Sequence, residues 1–350
     1  MSRKLIYKTF FAFSFLVSFS FAPQFSPEAK AWEVYSEYYG GDNTDGSLRA
    51  HGLSNAPDIC MVGDEGTEDV VFRTSDMVGD VSLSWRQNSV LESNMIQALN
   101  ATSVELGDSS HVNLGGVSYM IVCIMCEGDG DCETLDYTGN GSDNREIAFG
   151  SITDVRWIGI KNASATDPGS HRFASVTSTE DFSLTFHEFS NNPVDEIQKL
   201  GTSTFELGTQ HVVNASGEHY FGFALGTNDG LCEDKYFGDD IDDRNILCGI
   251  DPEVVFLQTK DDIPPGGAPT RDEPHFLVDG YTDAAFSFSF NSEISNSIQS
   301  TTIATADGFQ VGNSTTTNRL GFWYHFWGIM DTPELASPSS RRRDPPPIIQ

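Results

Sequence analysis

The chain has 350 residues, 51 of them acidic and 20 basic, for a formal net charge of −31. A surface this acidic repels nucleic acid and anionic membranes, which removes both from the expected partners. Two positive uses of the carboxylates stay open: cation binding, and life in a salty medium that screens self-repulsion.

Residues 1–31 read as a secretory signal peptide. Arg3, Lys4 and Lys8 form a basic start, Phe10 to Ala22 is an apolar run, and Ala29-Lys30-Ala31 gives an A-x-A cleavage signature. The apolar run is shorter than the ~20 residues a spanning helix needs. Cleavage before Trp32 is expected, leaving 16 basic against 50 acidic residues in an exported chain without membrane insertion.

Beyond the leader, each of three successive stretches opens on a tyrosine followed by a loop rich in Gly, Asp and Asn. These are Tyr39, Tyr137 and Tyr236, at spacings of 98 and 99 residues. An acid-then-apolar stretch follows, then an alternating run after Asp80, Asp181 or Asp283, then Ile-Gln at 96–97, 197–198 and 298–299. Alternation with period two places one face on a core and the other in water. In the third stretch it sets Phe286, Phe288 and Phe290 on one face. The segment near 91–99 leaves room for a short helical turn.

Each stretch closes on an invariant pattern, Leu/Val-Gly-x5-Asn-x2-Gly-x2-Tyr, at Leu106 to Tyr119, Leu207 to Tyr220 and Val311 to Tyr324. A fixed period of this length means three copies of one unit. The pattern itself reads as a hairpin: a strand ends at Leu/Val-Gly, the Asn forms an Asx-turn or a left-handed residue, the second Gly supplies positive φ, and a strand resumes at Tyr. The expected fold is all-β, three tandem antiparallel β-sandwich repeats of about 98 residues at 35–125, 133–228 and 233–330, with a disordered tail at 331–350.

Six cysteines in an exported chain favour disulfides. Of the possible connectivities, the preferred set is Cys126–Cys132 and Cys232–Cys248 as local clips, leaving Cys60–Cys123. Gly107-Asp108-Ser109 with His111 has the look of a hydrolase nucleophile block, but it is one version of a repeated turn and lacks the strand-to-helix elbow that activates a serine.

Tyr137-Thr-Gly-Asn-Gly-Ser-Asp-Asn-Arg145, Asp251-Pro-Glu-Val-Val-Phe256 and Gly308-Phe-Gln-Val-Gly312 with Asn318 and Tyr324 carry a resemblance. Over roughly residues 35–330 the chain resembles the β-sandwich repeats of bacterial secreted proteins and of phage tail or virion-associated proteins. The resemblance implies lectin-like or jelly-roll-like sandwiches used for display, attachment or assembly. It carries over turn and core positions and no catalytic residue.

Two ligand classes follow from residue types. Calcium is the candidate cofactor, against the alternative of solvated acidic loops that hold no ion, because hard cations take six to eight oxygens and the junction loops are rich in carboxylates: Asp129 and Asp131, then Asp239, Asp240, Asp242 and Asp243. Glycans are the other class, since sugar sites on β-sandwiches use an aromatic platform with nearby amides. Trp323 and Trp327 share a face of one predicted strand, and Asn113, Asn214 and Asn318 are the candidate amides. The reading is an exported, non-enzymatic protein for binding or adhesion, to glycans or a cell surface. The alternative is a structural subunit of an extracellular or virion-like assembly, with copies of itself as partners. Arg341, Arg342 and Arg343 in the tail suit docking on an acidic face of a neighbouring copy.

Overall fold

The structure, a computed structural model, describes residues 32–64, 69–86, 90–126, 131–176, 181–186, 194–260, 274–279, 284–287, 294–295, 297–301, 303 and 307–330. The expected leader, Phe288, Phe290 and the expected tail lie outside them.

In the first copy the strands are β1 (Trp32–Gly40), β2 (Ser47–Ala50), β3 (Ile59–Asp64), β4 (Val71–Thr74), β5 (Leu83–Ser84), β6 (Ile96–Leu99), β7 (Ser103–Leu106) and β8 (Ser118–Cys126). The second has β9 (Cys132–Thr138), β10 (Arg145–Ala148), β11 (Val155–Asn162), β12 (Ser170–Phe173), β13 (Leu184–Thr185), β14 (Ile197–Leu200), β15 (Thr204–Leu207), the four-residue helix α1 (His211–Asn214) and β16 (His219–Gly226). The third has β17 (Leu231–Phe237), β18 (Arg244–Leu247), β19 (Val254–Lys260), β20 (His275–Val278), β21 (Ala284–Ser287), β22 (Ile294–Ser295), β23 (Ile298–Ser300), β24 (Gly308–Val311) and β25 (Trp323–Ile329). All named pairings are antiparallel, and the class is all-β and sandwich-like.

One strand order recurs along the chain. The large sheets run β1-β8-β3-β4-β5, β9-β16-β11-β12-β13 and β17-β25-β19-β20-β21-β22; the small sheets run β2-β7-β6, β10-β15-β14 and β18-β24-β23. The closing pattern is therefore not a hairpin. The strand before it (β7, β15, β24) lies in the small sheet and the strand after it (β8, β16, β25) in the large one, so the segment crosses between sheets. Nor is there a helical turn at 91–99: Ile96, Ile197 and Ile298 begin strands, each with a register shift just behind it.

The inner strands of the large sheets are buried on both faces. β3 and β8 show unbroken burial where a half-exposed strand would alternate. One face packs on the small sheet of the same copy, through Val104, Leu106 and Ile121 in the first, Phe205, Leu207 and Ile160 in the second, and Phe309, Val311 and Leu257 in the third. The opposite faces meet in one common cluster that includes Met61, Phe72, Trp85, Trp157, Phe223, Phe256 and Trp327. The copies thus surround a shared centre. The ring closes where the Trp32 indole donates to the Met330 carbonyl at 3.0 Å, joining the start of β1 to the end of β25.

The three preferred cysteine pairs are formed. Cys60 faces Cys123 across β3 and β8, Cys126–Cys132 ties the end of β8 to the start of β9, and Cys232–Cys248 closes a loop within the third copy. Three disulfides fit an oxidising compartment. No helix among the described residues is long and apolar enough to cross a membrane.

Buried polar groups fix the seams and corners. Arg73 on β4 and Arg172 on β12 occupy matching positions inside their copies. Arg73 donates to the carbonyls of Val81, Ile96, Met77 and Gly79, and Arg172 to those of Phe182 and Ile197. Each guanidinium holds carbonyls of a crossing segment, with the bonds to Met77, Phe182 and the two isoleucines buried. In the seam between the second and third copies, the Trp157 indole donates to His171 Nδ1 at 3.2 Å, so the ring proton sits on Nε2 and is donated to Gln258.

Burial pushes His171 down to about 3 from 6.5, against the opposing pull of the Gln258 hydrogen bond. Unfolding therefore takes up a proton at His171 as pH falls below 6.5, and its stability contribution is lost by about 1.4 kcal/mol per pH unit down to the folded value. Glu196 and Glu233, pushed up to about 7 by burial, have the opposite sign: their contribution is full below 4.5 and lost as pH rises through 7. His171→Gln is expected to flatten the acid side of a plot of urea-unfolding stability against pH, leaving the neutral side alone. An unchanged acid slope contradicts a neutral, buried His171.

Candidate functional site

The loop after the opening tyrosine is built the same way in every copy. Gly41, Gly139 and Gly238 each approach the carbonyl of the residue after the motif asparagine so closely that a Cβ has no room. The asparagine Oδ1 then accepts the amide of Asp42 (2.9 Å), Asn140 (3.1 Å) or Asp239 (3.2 Å). Its Nδ2 donates to the carbonyl of Thr44 (2.9 Å), Ser142 (2.8 Å) or Ile241 (2.8 Å). Asn113, Asn214 and Asn318 are fully buried. They pin the loop from inside and present no amide to a ligand, which corrects their expected role.

The tyrosines complete the corner. Tyr39, Tyr137 and Tyr236 stack on Tyr119, Tyr220 and Tyr324 with centroids 5.4, 5.0 and 5.2 Å apart. Arg49, Arg145 and Arg244 cover the outer ring of each pair. The Ser109 hydroxyl lies 3.3 Å from Nδ1 of His111, two residues on, a contact inside the repeated turn.

The acidic candidates are placed as follows. Asp129 lies outside the described residues, and Asp131 is half-buried with its carbonyl accepting the Gly226 amide. Asp239 accepts from the Ile241 amide at 3.0 Å and faces Arg244 at 3.3 Å. Asp240 accepts from the Leu320 amide at 2.8 Å, and Asp242 from the Asp243 amide at 3.1 Å and Gln299 at 3.0 Å. Asp243 is exposed. Among the described residues no group of three or more His, Cys, Asp or Glu side chains converges as a metal site.

The two tryptophans do not form a platform together. Trp327 is 1% exposed and belongs to the shared centre, stacked on Phe256 at 5.2 Å and edge-on to Trp157 at 5.9 Å. Trp323, at the outer end of the same strand, is 40% exposed. Its partner is Phe237, 43% exposed, across the β17–β25 register at a centroid distance of 5.2 Å. Lys235 Nζ sits 5.3 Å from the Trp323 ring centroid and donates to the Ser175 carbonyl at 3.1 Å. Ile241 and Leu320, on the two loops that meet at this end, are 59% and 60% exposed. The candidate site is therefore the tip of the third copy: two aromatic rings, two aliphatic side chains and one ammonium group.

Sequence reasoning missed Phe237, although a signal was present. Tyr236-Phe237 and Trp323-Tyr324 are aromatic dipeptides in reversed order, and antiparallel pairing of the two tyrosines sets Phe237 opposite Trp323. No protein-family model matches this chain, and no curated protein matches it either.

Proposed function

We propose that this is an exported, non-catalytic binding protein that attaches to glycans or a glycan-bearing surface through the tip of its third copy. The observation that carries the reading is the exposed Trp323–Phe237 pair. Two large aromatic rings left in water side by side offer flat apolar faces, which stack against the C–H faces of sugar rings. The disulfides suit an extracellular setting, and the acidic surface suits ligands that are not polyanions.

A glycan array probed with the protein and with Trp323→Ala tests the reading. Binding to at least one glycan class is expected, with Trp323→Ala weaker by about ten-fold or more, the effect of losing one well-packed anchor. No bound glycan, or a bound glycan indifferent to Trp323, contradicts it. The second reading, a subunit of an extracellular or virion-like assembly, draws on β1, β9 and β17, which each end a sheet. Concentration-dependent oligomers in light scattering favour that reading, and a monomer disfavours it.

A further inference from the structure

The three copies supply an internal control for the tip. The pairing registers make Gly40, Thr138 and Phe237 equivalent, and likewise Ser118, His219 and Trp323. The carbonyl that accepts from the motif asparagine belongs to Thr44, Ser142 or Ile241. Leu320, two residues past Asn318, matches Gly115 and Ser216. At all four positions the first two copies fold with small or polar residues, and only the third carries large apolar ones, held in water. The scaffold does not require them.

Charge changes at the same loop. Between the glycine and the arginine the third copy reads Asp239-Asp240-Ile241-Asp242-Asp243, against Asn140-Gly141-Ser142-Asp143-Asn144 in the second. Backbone geometry is unchanged: Asn43, Gly141 and Asp240 have φ of 56°, 69° and 58°, and Gly46, Asn144 and Asp243 have φ of 74°, 54° and 56°. The third copy thus carries apolar surface and negative charge together at one end, without a change in the path of the 239–243 loop.

We infer that this tip binds a cationic, partly N-acetylated amino-sugar polymer, an inference that rests on the glycan reading above. The rings, aliphatic side chains and free carboxylates of the tip match such a polymer, while the Lys235 ammonium is engaged by the Trp323 face and the Ser175 carbonyl. Trp323 and Phe237 offer faces to the pyranose rings. Ile241 and Leu320 offer aliphatic surface to acetyl methyl groups. The carboxylates of Asp240 and Asp243, which face no cationic side chain among the described residues, offer charge to free ammonium groups and repel uronate, sialate and sulfate; Asp239 is already paired with Arg244. Each surface ion pair is weak and screened by salt, so the preference builds along a polymer and fades at high ionic strength.

The test measures binding of the full chain to a glucosamine oligomer that is half N-acetylated, to the fully N-acetylated oligomer of equal length, to heparin and to an oligo-arginine peptide. Two variants accompany it, and each substitution takes the residue another copy carries, so folding is retained. One combines Phe237→Thr, Ile241→Ser, Leu320→Ser and Trp323→His; the other combines Asp240→Asn and Asp243→Asn. The half-acetylated oligomer is expected to bind about ten-fold more tightly than the fully acetylated one, a margin that high salt erases. The asparagine variant is expected to lose that margin but keep the weaker binding, and the apolar variant to lose both. Equal affinity for the two oligomers, or a margin untouched by the asparagine variant, overturns the inference and leaves the glycan reading standing. Oligo-arginine binding at the tip without binding of any sugar overturns both.

Discussion

Trp85→Ala is expected to lower the unfolding free energy by about 4 kcal/mol, read as a shift in the urea midpoint at constant slope. Trp85 is fully buried, sandwiched between Phe72 of its own copy at 3.8 Å and Phe186 of the second at 4.3 Å. Its backbone also bridges the seam: its carbonyl accepts the Gly169 amide at 2.7 Å, and the Gly169 carbonyl accepts the Phe186 amide at 3.0 Å. Gly169 has no substitute there, because a Cβ would come within 2.6 Å of the Trp85 ring. The indole N–H finds no hydrogen-bond partner among the described residues, so the loss is one of packing. Trp85→Phe, the residue that the second copy carries at this position, is expected to cost about 1 kcal/mol, with the stack kept. Equal losses for alanine and phenylalanine contradict a role based on stacking across the seam.

Asn214→Ala is expected to cost about 3 kcal/mol, from four hydrogen bonds lost at one buried site. Nδ2 donates to the carbonyls of Ser142 at 2.8 Å and Gly208 at 2.9 Å, while Oδ1 accepts from the Asn140 amide at 3.1 Å and Arg145 at 3.0 Å. Arg145 also covers the Tyr137 ring, so the loop, the arginine and the tyrosine stack loosen together. Hydrogen exchange is expected to rise across 139–148 before it rises in β11 and β16, because the loop opens locally. A loss below about 1 kcal/mol means that water replaces the amide at little cost.

Much of the unit was legible because its motif residues have unforgiving local roles. The second glycine of the pattern does adopt positive φ, 85° at Gly116, 85° at Gly217 and 96° at Gly321. The cysteine pairing was readable because two pairs are close in sequence and the third then has no alternative. The crossing between sheets was not legible, since turn residues look alike whether the flanking strands pair with each other or part company. The asparagines followed the same logic: an Asn in a turn suggests a local cap, while here its side chain points inward to hold a loop some seventy residues away in sequence.

The shared centre leaves a trace in the acid-then-apolar stretches. Ile59-Cys60-Met61-Val62, Trp157-Ile158-Gly159-Ile160 and Val254-Val255-Phe256-Leu257 are unbroken apolar runs. Such runs mean burial on both faces, which a solitary sandwich does not provide. Arg73 and Arg172 gave no warning at all, because arginine is normally a surface residue and nothing in their neighbourhood marks an interior one. The tip of the third copy was half legible. Trp323 stood out by type, but Trp327 was paired with it on periodicity alone, and periodicity does not show which end of a strand leaves the core.

The claim that the copies share one core is tested most directly by differential scanning calorimetry of the whole chain with its disulfides intact. A single transition is expected, with a ratio of calorimetric to van't Hoff enthalpy of about one, because no copy can open without exposing the common cluster around Trp85, Trp157 and Trp327. Separate transitions, or a ratio of about three, contradict it and return the chain to three sandwiches in a row.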